Sequence, residues 1–399
     1  MITSDSPSPT PTSEELVASV AALKSLIGKH AAQGDTDRRL ADEVVSALGE
    51  AGAFRLGAPK RFGGHEAPIR TWLDVCSAVA EADGGAAWVT TLFNAGAYTV
   101  GLFPAQAQEE IFGADPEARV SGVLAPTGQS RKVPGGWRIT GRWYYASGSW
   151  HATWAGVGIP ITDASGETVD QGMALIPRGD LTVEDTWFTT GMRGSGSNCV
   201  VAEDVFVPEH RVMSVTQGLT GWNVDHHPGG ALYRSNLGSV LALVLVGPQL
   251  GLARAALSLV REKSASKAIP YTFFGRQADS TAFQLQLAEA AMRIDTAHLH
   301  AYRAADDIDR AAERAEHLDM FVRARVRADV GYVAENVGRA LDILMSAHGA
   351  ASFAETNVLQ RIWRDANTGA RHGVVVGTVG YEALGQVLAG VDQTVTPLI

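Results

Sequence analysis

Hydrophobic periodicity changes twice along this chain, and the two changes limit the folds open to it. Over residues 13–113 apolar side chains recur every three or four positions, which is typical of amphipathic helices. Over 120–212 short β-branched and aromatic runs replace this pattern, separated by turn-forming pairs such as Pro134-Gly135. Long amphipathic stretches return from about residue 237. Because strands and helices do not alternate as βαβ units, a doubly wound parallel sheet is excluded.

The pattern predicts an α+β fold with an N-terminal α-helical domain, a middle antiparallel β-barrel or sandwich, and a C-terminal helix bundle. Ser13 is placed to accept a backbone N–H at the start of the first helix. The residues before it are rich in Ser, Pro and Thr, which predicts a flexible tail. The predicted divisions are 1–12 for the tail, 13–118 for the N-terminal domain, 119–222 for the β domain and 223–399 for the bundle.

Composition excludes several classes of protein. Hydrophobic residues make up 46% of the 399 residues and charged residues 19%, which is enough to build a large core. The net charge of −10 repels phosphate backbones, so nucleic acid is not an expected partner. The longest unbroken apolar stretch, around 240–246, is too short to span a bilayer, and no charged leader is seen. The only two cysteines, Cys76 and Cys199, fit a reducing compartment, so we expect a cytoplasmic protein without a membrane partner.

Motifs for several common chemistries are missing. The best match to a G-x-G-x-x-G motif is at 191–196, but it precedes a strand and has the wrong spacing. A Rossmann nicotinamide site is therefore not expected. Neither a phosphate-binding P-loop nor a G-x-S-x-G nucleophile motif occurs. His298 and His300 point to opposite sides of a predicted helix, and the His226-His227 pair lies in a predicted loop without an obvious carboxylate or thiolate companion. We therefore predict no metal site.

Three segments, in the expected order, carry a resemblance to one superfamily. They are 133–148, VPGGWRITGRWYYASG; 191–197, GMRGSGS, followed by VFVP at 205–208; and 359–366, LQRIWRDA. Together they resemble the acyl-CoA dehydrogenase superfamily over about residues 14–390. The resemblance implies the α–β–α fold, a flavin cofactor, and a homotetramer whose C-terminal bundles complete one another's flavin sites.

Departures from the dehydrogenase pattern point to one branch of the superfamily. Its glutamate base is expected either after Arg364-Asp365 or near Val240, and neither position holds a carboxylate. The flavin-holding sequence Arg-x-x-Phe-Gly is altered to YTFFGR at 271–276, where the arginine follows Phe-Gly. With His372 seven residues after the Arg-Asp pair, these features resemble the two-component flavin-dependent monooxygenases of this fold.

Two further segments, 121–128 and 141–148, also match that branch. The resemblance implies a hydroxylase that uses reduced FAD, or alternatively reduced FMN, supplied by a separate NAD(P)H-flavin reductase, with O2 as co-substrate. In such enzymes a flavin hydroperoxide at carbon-4a transfers oxygen to an aromatic or polycyclic small molecule, in secondary metabolism or aromatic catabolism. A flavin that arrives and leaves also fits the altered flavin-holding sequence and the missing nicotinamide site.

The same resemblance implies roles for individual residues. Ser147 is predicted to offer a hydroxyl near flavin nitrogen-5, with Trp143 against the ring and Ser121 facing the same pocket. Arg276 is predicted to reach a flavin phosphate, because a guanidinium binds phosphate bidentately. His372 is predicted to be the catalytic acid or base beside the peroxide, because imidazole titrates near neutrality.

Substrate contacts are predicted for Trp88, Asn94 and His151, since aromatic groups stack on flat molecules and a histidine can serve as a second acid or base. Two other enzyme functions remain open: an amino-sugar N-oxygenase of the same fold, and an acyl-CoA dehydrogenase whose base has moved. A third alternative is a catalytically silent protein that keeps the fold and binds no flavin.

Overall fold

The computed structural model describes residues 11–163, 165–391 and 395–399, and it has the predicted α–β–α order. Most of the predicted tail, residues 1–10, lies outside the described residues. Thr12 caps the first helix instead of Ser13, because the Thr12 hydroxyl accepts from the Glu15 amide at 3.2 Å while the Ser13 hydroxyl bonds Thr71 Oγ1. The N-terminal helices are α1 (Ser13–Ala22), α2 (Lys24–Asp37), α3 (Asp42–Glu50), α4 (Ile69–Ala80), α5 (Gly84–Gly101) and α6 (Ala105–Gln108).

The middle of the chain forms two four-stranded sheets, with strand orders β1-β4-β5-β8 and β2-β3-β7-β6. Their strands are β1 (Val120–Val123), β2 (Gln129–Val133), β3 (Gly136–Ala146), β4 (Trp154–Thr162), β5 (Thr168–Pro177), β6 (Thr182–Glu184), β7 (Asn198–Pro208) and β8 (Val212–Ser214). β1 pairs with β4 in parallel, which differs from the predicted antiparallel arrangement, because the β2–β3 hairpin crosses over between them. The two sheets enclose a core of alternate apolar side chains that includes Ile139, Trp143, Val157 and Ile176.

The C-terminal part is helical again. Its helices are α7 (Val215–Thr220), α8 (Trp222–His226), α9 (Leu237–Leu243), α10 (Gly247–Ser264), α11 (Thr281–Glu313), α12 (Met320–His348), α13 (Val358–Gly369) and α14 (Gly377–Leu388). The predicted domain boundary between 222 and 223 falls inside α8. Helices α9 and α10 lie in a segment, Leu237–Ser264, that is long and apolar enough to cross a membrane by length and mean hydropathy alone. Because 78% of its most apolar window is buried inside the fold, the segment is a core element.

Glycines allow the closest helix contacts near the centre of the molecule. A Cβ added at Gly96 on α5 would lie 2.2 Å from the Val120 carbonyl oxygen, so α5 packs directly on the start of β1. A Cβ added at Gly331 on α12 would lie 2.3 Å from the Cα of Gly377, the first residue of α14. The second contact fixes where the α13–α14 connection ends.

We predict that Gly331→Ala lowers the free energy of unfolding by about 1–3 kcal/mol, because the added methyl group forces α12 and α14 apart. Gly338 lies two turns further along α12, and a Cβ there would meet no atom within 4 Å. Gly338→Ala is therefore the matched control, and it is expected to stabilise the helix by about 0.5–1 kcal/mol. Chemical denaturation of the two variants checks the pair, and equal effects would contradict the close contact.

Candidate active site

A cavity of about 410 Å³, here named the site cavity, lies where α5, β1, β3, β5 and α9 meet. Its walls are mostly apolar, and the few polar groups among the described lining residues include Thr99, Gln171 and His372. Its size and character are typical of a small-molecule site. A second cavity, of about 630 Å³, lies between α6, β8 and α8 and contains none of the predicted site residues.

His372 lines the site cavity from the connection between α13 and α14. Its Nδ1 accepts a hydrogen bond from the Val374 amide at 3.3 Å, which places the proton of the neutral imidazole on Nε2. The surrounding protein desolvates the imidazolium, and the charge of Arg327 disfavours it further, so the pKa of His372 is lowered to about 4. At neutral pH the ring is therefore an uncharged donor that remains accessible from the cavity.

Ser147 lies directly after β3, at the centre of a buried hydrogen-bond chain. Its hydroxyl accepts from Trp88 Nε1 at 3.1 Å and bonds Ser197 Oγ at 2.8 Å, and Ser197 bonds Ser195 Oγ at 2.7 Å. The Trp88 indole in turn contacts the His372 ring, with centroids 5.8 Å apart. This series of hydrogen bonds therefore begins behind the His372 ring at the cavity wall and runs inward.

Ser121 joins the same cluster through the backbone. Its hydroxyl donates to the Ser147 carbonyl at 2.9 Å, while its neighbours Val120 and Gly122 line the cavity. The structure thus brings four of the predicted site residues together: Ser121, Ser147, Trp88 and His372.

Of the eight predicted residues, His372 alone is among the described residues that line the site cavity. The four residues outside the cluster have other partners. Trp143 is fully buried between the sheets and donates to the Gly158 carbonyl at 2.7 Å, so it is a core residue of the β domain instead of a flavin wall. The side-chain amide of Asn94 accepts from Leu56 N and donates to Ala53 O and Thr90 O. Its hydrogen-bonding groups are therefore engaged by the backbone and not by a substrate.

The last two predicted residues lie further away. His151 faces Asp42, with Nδ1 3.6 Å from the carboxylate, and burial lowers its pKa to about 4. Arg276 is largely exposed and pairs with Asp279 at 2.6 Å. Neither side chain lies among the described residues that line the site cavity.

Sequence reasoning missed two tyrosines that form part of the cavity wall. Tyr144 and Tyr145 both line the site cavity and both expose large parts of their rings. Strict alternation along β3 would send only one of them to that face. The register of β3 on β7 shifts between Trp143 and Ala146, and Tyr145 has a φ of 70°, so a bulge turns the second ring outward.

Asp365 has a local role that involves a second buried carboxylate. Asp83 caps α5 by accepting from the Ala86 amide at 2.8 Å, and Asp365 accepts from the Met192 amide at 2.6 Å. Burial raises the pKa of both carboxyls, and the charge of Asp83 raises the pKa of Asp365 further. The nearest cation to Asp83, Arg361, is 3.9 Å away. The pair ties α13 and α5 to the 191–197 loop, and within the described residues no His, Cys, Asp and Glu cluster could hold a metal.

The residues around the site cavity fit a flavin. A Cβ at Gly122 would meet no atom within 4 Å, so the cavity wall stays flat beside β1. Apolar walls with a few polar groups suit a planar ring with hydrogen-bonding edges. Of the residues predicted to contact the flavin, His372 lines this cavity, whereas Ser147 and Ser121 are buried behind its wall.

Comparisons with known proteins show which family this chain resembles. A family model described as acyl-CoA dehydrogenase, C-terminal domain, matches residues 243–376. The flavin-dependent monooxygenase oxygenase subunit HsaA of Rhodococcus jostii is 33% identical, over 88% of this chain and 92% of the relative. The oxygenase component of p-hydroxyphenylacetate 3-hydroxylase from Acinetobacter baumannii is 28% identical, over 93% and 88%. The structure of XiaF from Streptomyces sp. in complex with FADH2 and glycerol has a TM-score of 0.93 and 39% identity, covering 96% and 97%.

The similarity covers nearly the whole chain and includes the helical, β and bundle parts together. The predicted superfamily, fold and dependence on reduced flavin are therefore confirmed. This chain is an oxidoreductase that belongs to the two-component flavin-dependent monooxygenases built on the acyl-CoA dehydrogenase fold.

Proposed function

We propose that this chain hydroxylates an aromatic or polycyclic small molecule in the site cavity, using O2 and reduced FAD from a separate NAD(P)H-flavin reductase. The observation that supports this most directly is an apolar cavity whose wall carries the His372 ring and two tyrosine rings. The names oxygenase subunit and oxygenase component indicate that those relatives work with a separate partner. One of those relatives is named for a phenol, p-hydroxyphenylacetate.

When bound, reduced flavin supplies the electrons that activate O2 and carries one oxygen atom to the substrate. His372 donates its Nε2–H to an oxygen at the reacting centre, because Nδ1 is occupied and a pKa of about 4 makes the ring a poor base at pH 7. Trp88 and Ser197 orient the Ser147 hydroxyl. The apolar walls exclude water, whose entry would favour loss of oxygen as hydrogen peroxide without hydroxylation.

The alternative enzyme functions find less support in the site cavity. An acyl-CoA dehydrogenase needs a carboxylate base, and no Asp or Glu lines the cavity within the described part of the chain. An amino-sugar N-oxygenase that acts on a nucleotide carrier needs cations for the diphosphate, and no Lys or Arg is found among the same lining residues.

A substrate panel under single-turnover conditions tests the proposal. The protein is mixed with pre-reduced FAD, ¹⁸O2 and one compound from each class: a phenol or naphthol, a nucleotide-linked amino sugar, or an acyl-CoA ester. We expect ¹⁸O-labelled product from phenols or naphthols only. Labelled product from the amino sugar alone, or a desaturated acyl-CoA, would replace the proposal with the corresponding alternative.

We further propose that the active form is a cytoplasmic homotetramer. Tyr271 is fully exposed, and Leu285, Met292 and Leu299 repeat every seven residues on an exposed face of α11, which favours burial against another copy. In such an assembly the exposed Arg276 would have to exchange its pairing with Asp279 for the flavin phosphate of a neighbouring copy. Light scattering of the purified protein checks the mass, and a monomer would contradict the assembly.

A further inference from the structure

Arg327 is a buried cation with no acidic partner among the described residues. It lies on α12 with 3% of its surface exposed, and no carboxylate of the described chain is within ion-pair distance. A buried guanidinium without a counter-charge is costly, so its hydrogen bonds are informative. Nη1 donates to the Val374 carbonyl, and Nη2 donates to the Gly373 carbonyl at 3.3 Å.

Both of these carbonyls belong to the turn that carries His372. The turn begins where the His372 amide donates to Gly369 O at 3.1 Å and closes where Val375 N donates to His372 O at 2.7 Å. Within it, the Val374 amide donates to His372 Nδ1 at 3.3 Å. Arg327 therefore binds the carbonyl of Val374, and the amide of Val374 fixes the tautomer of the His372 imidazole.

We propose that Arg327 is a positioning residue, which clamps the backbone after His372 so that the imidazole keeps its Nε2–H available to the site cavity. The proposal rests on the role proposed above for His372. Arg327 itself is not among the described residues that line the cavity, so it acts through the turn and not on the substrate.

The charge of Arg327 acts in the same direction as the clamp. The groups that share the cavity wall with His372 include Tyr144 and Tyr145 from β3 and Gln171 from β5, while α5 contributes the Trp88 ring behind it. None of these groups is an ordinary counter-ion for an imidazolium. Burial and the Arg327 charge together lower the pKa of His372, which keeps the ring neutral while it donates.

Three variants separate the clamp from the charge. Arg327→Met removes both, and Arg327→Lys keeps the charge but cannot reach two carbonyls with a planar fork. Arg234→Met is the matched control, because Arg234 also donates to two backbone carbonyls, Gly229 O at 2.9 Å and Ala312 O at 3.3 Å, away from the site cavity.

The first readout is the pKa of His372, measured by imidazole ¹⁵N NMR on the flavin-free protein. The second is the yield of hydroxylated product per reduced FAD consumed. We expect Arg327→Met to raise the pKa of His372 toward its ordinary value and to lower the yield about tenfold or more. Arg327→Lys is expected to keep the low pKa while losing yield, and Arg234→Met to change neither.

Wild-type values of both readouts in folded Arg327→Met, or an equal loss in Arg234→Met, would overturn the proposal. If Arg327→Met does not fold, an unchanged product yield in Arg327→Lys overturns the clamp. Should the wild-type protein form no product while Arg327→Met still shifts the His372 pKa, the proposed function fails and the positioning role stands.

Discussion

His372→Ala is expected to consume reduced FAD at close to the wild-type rate while forming at least about 100-fold less hydroxylated product, with hydrogen peroxide released instead. His372 lines the site cavity, and its imidazole N–H has no hydrogen-bond partner in the described protein. Its loss removes this hydrogen-bond donor and opens space for water, and both changes favour unproductive loss of oxygen as peroxide. Product and peroxide measured in the same reaction give the coupling, which is the fraction of consumed reduced FAD that yields hydroxylated product.

The pH dependence of coupling adds a second signature to this prediction. Because the pKa of His372 is lowered to about 4, the wild-type yield should stay constant between about pH 6 and pH 8 and change only as pH falls toward the pKa. His372→Gln keeps an N–H donor and is expected to recover part of the yield without this transition.

His65→Ala is the matched control for His372→Ala. His65 is buried, its pKa is likewise lowered to about 4, by burial and by Arg55, and it does not line the site cavity. We expect its coupling to match that of the wild type. If His372→Ala and His65→Ala form equal amounts of hydroxylated product per reduced FAD consumed, the hydrogen-bond donor to the reacting oxygen lies elsewhere.

Leu241→Trp is expected to reduce product formation by about 100-fold, because the indole fills the site cavity from α9 and displaces the reacting molecules. Leu241 is only partly buried, so the larger side chain can enter the cavity without breaking the core. The binding of a fluorescent naphthol, followed by quenching, and thermal unfolding together separate loss of binding from loss of fold.

Ala105→Trp places the same side chain in the second cavity. Ala105 is exposed at the start of α6, so the fold is expected to accept it. Product formation should remain at the wild-type level. The opposite pattern, with activity lost in Ala105→Trp and kept in Leu241→Trp, would move the active site to the second cavity.

The parts of the fold that could be predicted are those set by local pattern. Helical periodicity and β-rich runs separated by turns give the α–β–α order, since each depends on residues close together in the chain. The parallel pairing of β1 with β4 was missed because strand order depends on contacts 34 residues apart in sequence. Sequence pattern contains no direct signal for such pairing.

The site shows the same division. His372 and Ser147 could be predicted as site residues because each belongs to a motif with fixed spacing, and the structure places both in one cluster through Trp88. Asn94 was misread because its partners, the backbone of Ala53 and Leu56, come from another element. Trp143 was predicted to lie against the flavin ring, and only the register of β3 on β7 shows which face of the sheet its side chain occupies.

Arg327 was missed for a further physical reason. An arginine in a long amphipathic helix normally belongs to the solvent face, and only the tertiary structure shows that this one is buried. The tyrosine pair was missed because a bulge cancels the alternation that a regular strand would impose. In both cases packing between distant elements decides the outcome.

The release of hydrogen peroxide from pre-reduced FAD after mixing with O2, with and without the protein and with no substrate present, tests the central claim most directly. The account predicts at least about tenfold slower peroxide release with the protein, because the site cavity shields the reacting flavin from water beside His372. The measurement needs no knowledge of the natural substrate. Peroxide release at the rate of free FAD, together with reduction of bound FAD by an acyl-CoA ester, would contradict the monooxygenase function.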